Sequence, residues 1–139
     1  MRRGHCRLYP NGIYPIMHAV AELLGFAEDA EAAGMSAAEL WRLIGRLAAN
    51  PRAGDLIVGT GGARKVRMAG RGKGRSGGFR VISYFAGEDL PVFLVTVYAK
   101  GDRADLSAAE RAEIKRELAH LASEYRKGRR TWARLRRRS

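Results

Sequence analysis

Apolar positions along this chain follow two periods. Between Ser36 and Asn50 they recur at the spacing of one helical face, Leu40, Leu43, Ile44 and Leu47, widened by Trp41 and Ala48. Ser36 and Glu39 stand ahead of this face as a capping box. Asn50-Pro51 closes it, because the residue before a proline is pushed out of the helical region. The helical period returns near the C-terminus. There Ser107 and Glu110 make a second capping box, Ile114, Leu118, Leu121 and Tyr125 form one stripe, and Gly128 marks the expected end. Between these helices the segments RKVRM (64–68) and GFRVISY (78–84) read as strands, joined by the glycine-rich hairpin loop GRGKGRSGG. PVFLVTVYA (91–99) is apolar and β-branched at nearly every position, as expected of a strand covered on both faces. Gly87-Glu88-Asp89 is the turn before it, and a short extended piece is expected at Leu56–Val58.

The N-terminal part is less regular. Residues 1–16 carry prolines and glycines without a sustained period and read as an arm. Met17–Glu22 suits a short strand. The stretch MHAVAELLGFAEDAEAAG also suits one continuous helix, which Gly25 and Gly34 weaken. The order is therefore helices, three consecutive hairpin strands, then a helix. This predicts an α+β fold, an antiparallel sheet with helices on one face and Lys65 and Arg67 on the other.

Charge sharpens the picture. The 139 residues suffice for one domain, but 26 Lys and Arg stand against 14 Asp and Glu, a formal net charge of +12. Such an excess favours polyanionic partners. Much of it lies in the hairpin, as Arg64, Lys65, Arg67, Arg71, Lys73, Arg75 and Arg80. Alternation places Lys65 and Arg67 on one strand face, where they read as a phosphate-binding and catalytic set with Arg80. Lys100 directly follows the apolar strand and can approach them. The plain alternative is a solvated edge, since lysine commonly guards edge strands. The tail RRTWARLRRRS reads as solvated and disordered, able to add nonspecific RNA affinity.

Other chemistry is poorly supported. Gly72 to Gly77 fits G-x-G-x-x-G, but a strand follows where a dinucleotide fingerprint needs a helix, and no Walker A is present. His5, His18 and His120 do not cluster, and Cys6 is the only cysteine, so neither a zinc site nor an intrachain disulfide is expected. A lone cysteine suits a reducing cytoplasm. Arg2 and Arg3 imitate the start of a signal peptide, but Pro10, Asn11, Pro15, His18 and Glu22 interrupt what would follow. No apolar run is long enough for a transmembrane helix.

Three motifs taken together carry a resemblance: G-T-G-G-x-R-K-x-R at Gly59–Arg67, G-K-G-x-S-G-G-x-R-V-I at Gly72–Ile82, and V-Y-A-K at Val97–Lys100. With them the chain resembles the RelE/HigB family of bacterial toxins, in its HigB-like branch, over about residues 17–126. The resemblance implies a RelE-like fold: a short first strand, a helix near Leu24–Ala33, a second helix, the hairpin sheet and a last helix. It divides the chain into a dispensable arm at 1–16, with Met17 as a possible start, a toxin domain at 17–126 and a basic tail at 127–139. It also implies a cytoplasmic toxin that enters the ribosomal A site, cuts mRNA without a metal or other cofactor, and is restrained by a cognate antitoxin, expected to be of helix-turn-helix type. Cleavage would run by attack of the 2′-hydroxyl on the adjacent phosphate. Residue by residue, Lys65, Arg67, Arg80 and Lys100 take the family's cationic catalytic positions, with Arg64, Arg71, Lys73, Arg75, Tyr84 and Tyr98 around them for RNA and ribosome binding. RelE itself has lysine where Arg67 stands, and arginine stays protonated, which moves the base role to Lys65 or leaves it unassigned. RelE also has a tyrosine shortly past the last strand, whereas none lies here between Tyr98 and Tyr125. The other readings are a ParE-like, gyrase-directed toxin on the same fold and a nonenzymatic RNA-binding protein.

Overall fold

The computed structural model describes residues 18–70, 78–102 and 105–138, with backbone alone after 128. The elements run β1 (Val20–Glu22), α1 (Phe26–Ala33), α2 (Ala37–Ala49), β2 (Asp55–Leu56), β3 (Ala63–Met68), β4 (Phe79–Tyr84), β5 (Val92–Ala99) and α3 (Ala108–Arg138). The fold is α+β. The strand order is β1-β5-β4-β3-β2. The β3–β4–β5 meander is antiparallel, as the hairpin reading predicts, but β1 pairs with β5 in parallel and makes the sheet mixed.

The helix starts are those read from the caps. Ser36 Oγ accepts from the Glu39 amide at 3.1 Å while the Glu39 carboxylate accepts from the Ser36 amide at 2.8 Å. Ser107 and Glu110 repeat the arrangement at the start of α3. Each satisfies donors that a helix N-terminus leaves without intrahelical partners. The glycines at 25 and 34 do break the first segment: both are left-handed, at φ 95° and 81°, so a strand and a short helix replace the continuous helix.

Several expectations need correction. The helices do not share one face. Alternation along each strand sends Val66, Met68, Phe79, Val81 and Val97 into one core with α1 and α2. It sends Ala63, Ile82, Tyr84 and Phe93 into a second core under α3, with Leu118 and Ala122. A sheet apolar on both sides requires a layer on each, which explains the unbroken apolar character of β5. At Ile82/Ser83 the register slips, Ile82 opposing Thr96 and Ser83 opposing Leu94, so Val95 is an extra residue on β5. The short extended piece is at Asp55–Leu56 rather than 56–58, and it pairs with β3 as a fifth strand.

Trp41 does not widen the buried face of α2. It is 70% exposed, while Leu43 and Leu47 are fully buried. Gly128 does not end α3, and the tail is not irregular: the helix continues to Arg138. One exposed glycine costs a helix only about 1 kcal/mol, and the arginines, leucine and alanine that follow are good helix formers. The arm at 1–16 and the loop at 71–77 lie outside the described residues.

Candidate functional site

The site is built on the meander. Register places Arg67 of β3 directly opposite Arg80 of β4, and Arg80 opposite Tyr98 of β5. The three form one rung on the face that α3 covers further along. Lys65 lies one rung away, opposite Ile82. Ile82 is fully buried under α3, Arg80 and Tyr98 are half-buried, and Arg67 is exposed. The helix thus covers the sheet up to Ile82 and leaves the arginine rung open. Lys100 follows at the end of β5 and is exposed; its amide donates to the Gly78 carbonyl at 2.9 Å, which ties it to the start of β4.

Two arginines directly opposed across a strand pair repel each other, a local cost that a purely structural sheet avoids. Among the described residues no carboxylate pairs with Arg67. Lys65 is different. Its Nζ donates to Asp105 Oδ1 at 2.6 Å across the border between the open rung and the covered one. The hydrogen bond and the charge of Lys65 hold the Asp105 carboxyl below its ordinary value of 3.8; Arg111 adds to this, and burial opposes it.

The motif residues position the strands. Gly59, Gly61 and Gly62 all have positive φ, and between them Thr60 is buried, its hydroxyl donating to the Ile57 carbonyl at 2.7 Å and accepting from the Ala63 amide at 3.1 Å. This locks the turn that starts β3. At the far end, a Cβ on Gly78 would lie 1.9 Å from the Met68 carbonyl oxygen, and one on Gly70 would lie 2.3 Å from the Phe79 ring. The neck of the cationic hairpin can therefore hold only glycine at these two places.

The remaining residues singled out in the sequence divide. Arg64 lies on the opposite face from Lys65, and its Nη1 donates to the Gly54 carbonyl at 3.0 Å, bracing the entry to β2. Tyr84 is 8% exposed, stacked on Phe93 with ring centroids 6.5 Å apart beneath α3, so its ring is already packed and not presented to a base. Arg71, Lys73 and Arg75 lie outside the described residues. Pattern reading missed Asp105, which is 40 residues from Lys65 and carries no local signal beyond its place ahead of the second capping box. It also missed Arg46, whose Nη1 donates to the Arg67 carbonyl at 2.7 Å, and the bidentate Arg126–Asp89 pair at 2.8 and 3.1 Å that pins α3 to the β4–β5 turn.

Among the described residues no three His, Cys, Asp or Glu side chains gather to hold a metal, and no helix is long and apolar enough to cross a membrane. Compared with known families, residues 24–131 match the profile of the RelE toxin of the RelE / RelB toxin–antitoxin system. That match spans most of the chain and contains the whole meander, all of α2 and most of α3. A cationic rung on a RelE-type sheet and a match of this extent lead to one assignment: the chain belongs to the RelE toxin family and is the toxin of a toxin–antitoxin pair, with a cognate antitoxin as its partner.

Proposed function

We propose that this toxin is a ribosome-dependent mRNA endoribonuclease of the HigB-like branch, acting by metal-independent transesterification. The observation that carries this reading is the directly opposed Arg67–Arg80 pair beside Tyr98. In the reaction the 2′-oxygen bonds to phosphorus as the bond from phosphorus to the 5′-oxygen breaks. The 2′-hydroxyl loses a proton and the 5′-oxygen gains one, leaving a 2′,3′-cyclic phosphate and a 5′-hydroxyl. Arg67 and Arg80 supply forked donors to the phosphate oxygens as charge develops there, and they stay protonated throughout. Lys65 exchanges a proton with the reacting oxygens once it gives up its contact to Asp105 for the substrate. Lys100 adds positive charge at the end of β5, and Tyr98 offers a ring next to Arg80 on which a base can stack.

The test is single-turnover cleavage of mRNA on 70S ribosomes. Arg80→Ala should lower the rate by about 10²–10³, roughly 3–4 kcal/mol of transition-state stabilisation, while ribosome binding persists. The new ends should be a cyclic phosphate and a 5′-hydroxyl. Wild-type rates from the Arg80 variant would remove the arginine rung from the chemistry, and intact mRNA with stalled replication would favour a gyrase-directed toxin.

A further inference from the structure

Beside the arginine rung the sheet has an open edge. β2 pairs with β3 only at Arg64 and Lys65, so among the described residues no strand neighbours the outer edge of β3 at Arg67 and Met68. A groove of about 420 Å³ runs along this edge, lined by Arg42, Gly45 and Arg46 of α2 and by Arg67, Met68 and Ala69. Arg46 is tied to this edge by its 2.7 Å bond to the Arg67 carbonyl. None of Arg42, Arg46 and Arg67 is in an ion pair among the described residues. The Glu39 carboxylate bridges the helix start and the end of the groove: Oε1 accepts from the Ser36 amide, and Oε2 lies where it would be 2.6 Å from a Cβ on Gly70. Trp41 is 70% exposed and sits one helical turn before Gly45, where a Cβ would meet nothing within 4 Å. An exposed aromatic ring beside a bare turn, on the same helix as two guanidinium groups outside any ion pair among the described residues, is the composition of a single-strand binding track: cations for the backbone, a ring for a base.

Resting on the ribonuclease reading above, we propose that this groove binds the RNA strand flanking the scissile phosphate. The backbone passes from the Arg67–Arg80 rung over the open edge of β3 onto Arg46 and Arg42, and a base stacks on Trp41. The toxin then grips a longer stretch of message than the rung alone can cover.

Two single-stranded oligoribonucleotides test this, about four and about twelve nucleotides long and 2′-O-methylated so that they cannot be cut. The long one should bind more tightly, and its affinity should fall more steeply with salt. Arg42→Ala with Arg46→Ala should weaken the long oligonucleotide about tenfold and lower its salt slope by about 1.4, at about 0.7 per phosphate, leaving the short one unchanged. Arg42→Ala alone keeps the Arg46 bond, guards against misfolding, and should give about half that change in slope. Trp41→Ala should weaken only the long oligonucleotide, by about tenfold. A long oligonucleotide bound no more tightly than the short one, or bound equally by the variants, overturns the groove. Ribosomal cleavage by the wild type, assayed in parallel, separates the two ideas. Cleavage without a groove effect sinks only this inference, whereas a groove effect without cleavage sinks only the ribonuclease reading.

Discussion

Lys65 and Arg67 are two residues apart on one strand face, yet their surroundings differ. Lys65 is held by Asp105, and Arg67 faces another arginine. A carboxyl whose folded value lies below its unfolded one stabilises the protein above that unfolded value and ceases to do so as pH falls through the folded one. Asp105→Asn should therefore lower the melting temperature at neutral pH, and the gap to wild type should close as pH is taken below 3.8. A gap that stays constant across that range would show that the pair contributes nothing in solution. Lys65→Ala should lower the single-turnover cleavage rate on ribosomes while binding persists; an unchanged rate would remove Lys65 from the chemistry. Arg67→Lys restores the RelE arrangement and keeps a cation on the rung, so ribosomal cleavage should be retained or raised. A loss comparable to that of Arg80→Ala would show that the forked geometry at 67 is required.

At the scale of elements, the capped helices and the three hairpin strands were legible because their signals are local. A capping box spans four residues, and alternation needs only a strand's own side chains. What lay outside the sequence was tertiary. The parallel docking of β1 on β5, the placing of α3 on the opposite face from α1 and α2, and the Lys65–Asp105 contact all join distant segments. Trp41 shows a second limit. It sits beside the buried positions in the helical pattern, and only the packing of α2 decides that its ring faces outward. The candidate site was half legible: the cationic set could be read from the motifs, but the bond from Arg46 and the burial of Tyr84 could not. The glycines give a test at this scale. Gly78→Ala should destabilise by more than about 2 kcal/mol, because a backbone carbonyl occupies the space its Cβ needs. Gly128→Ala should stabilise by up to about 1 kcal/mol, since that position is helical with nothing near it. Destabilisation by Gly128→Ala, read in a denaturant titration, would mean that α3 ends there after all.

At the scale of the whole molecule, cationic residues lie both on the meander rung and, in sequence, along the last part of α3. From Arg126, clamped to Asp89, the helix runs on to Arg138, roughly 18 Å at 1.5 Å per residue. Changing Arg136, Arg137 and Arg138 together to Ala should lower ribosome affinity and its salt dependence while leaving the single-turnover rate intact. A slower chemical step in that variant would tie the helix end to the site. With a net charge of +12, antitoxin binding should weaken as salt rises. The parallel pairing of β1 with β5 also orders events during synthesis. β1 leaves the ribosome early but has no sheet to join until β5 follows, and Asp105 reaches Lys65 later still. The arginine rung joins β3, β4 and β5, so it cannot assemble on a growing chain before β5 has emerged, and the Lys65–Asp105 contact can only follow it.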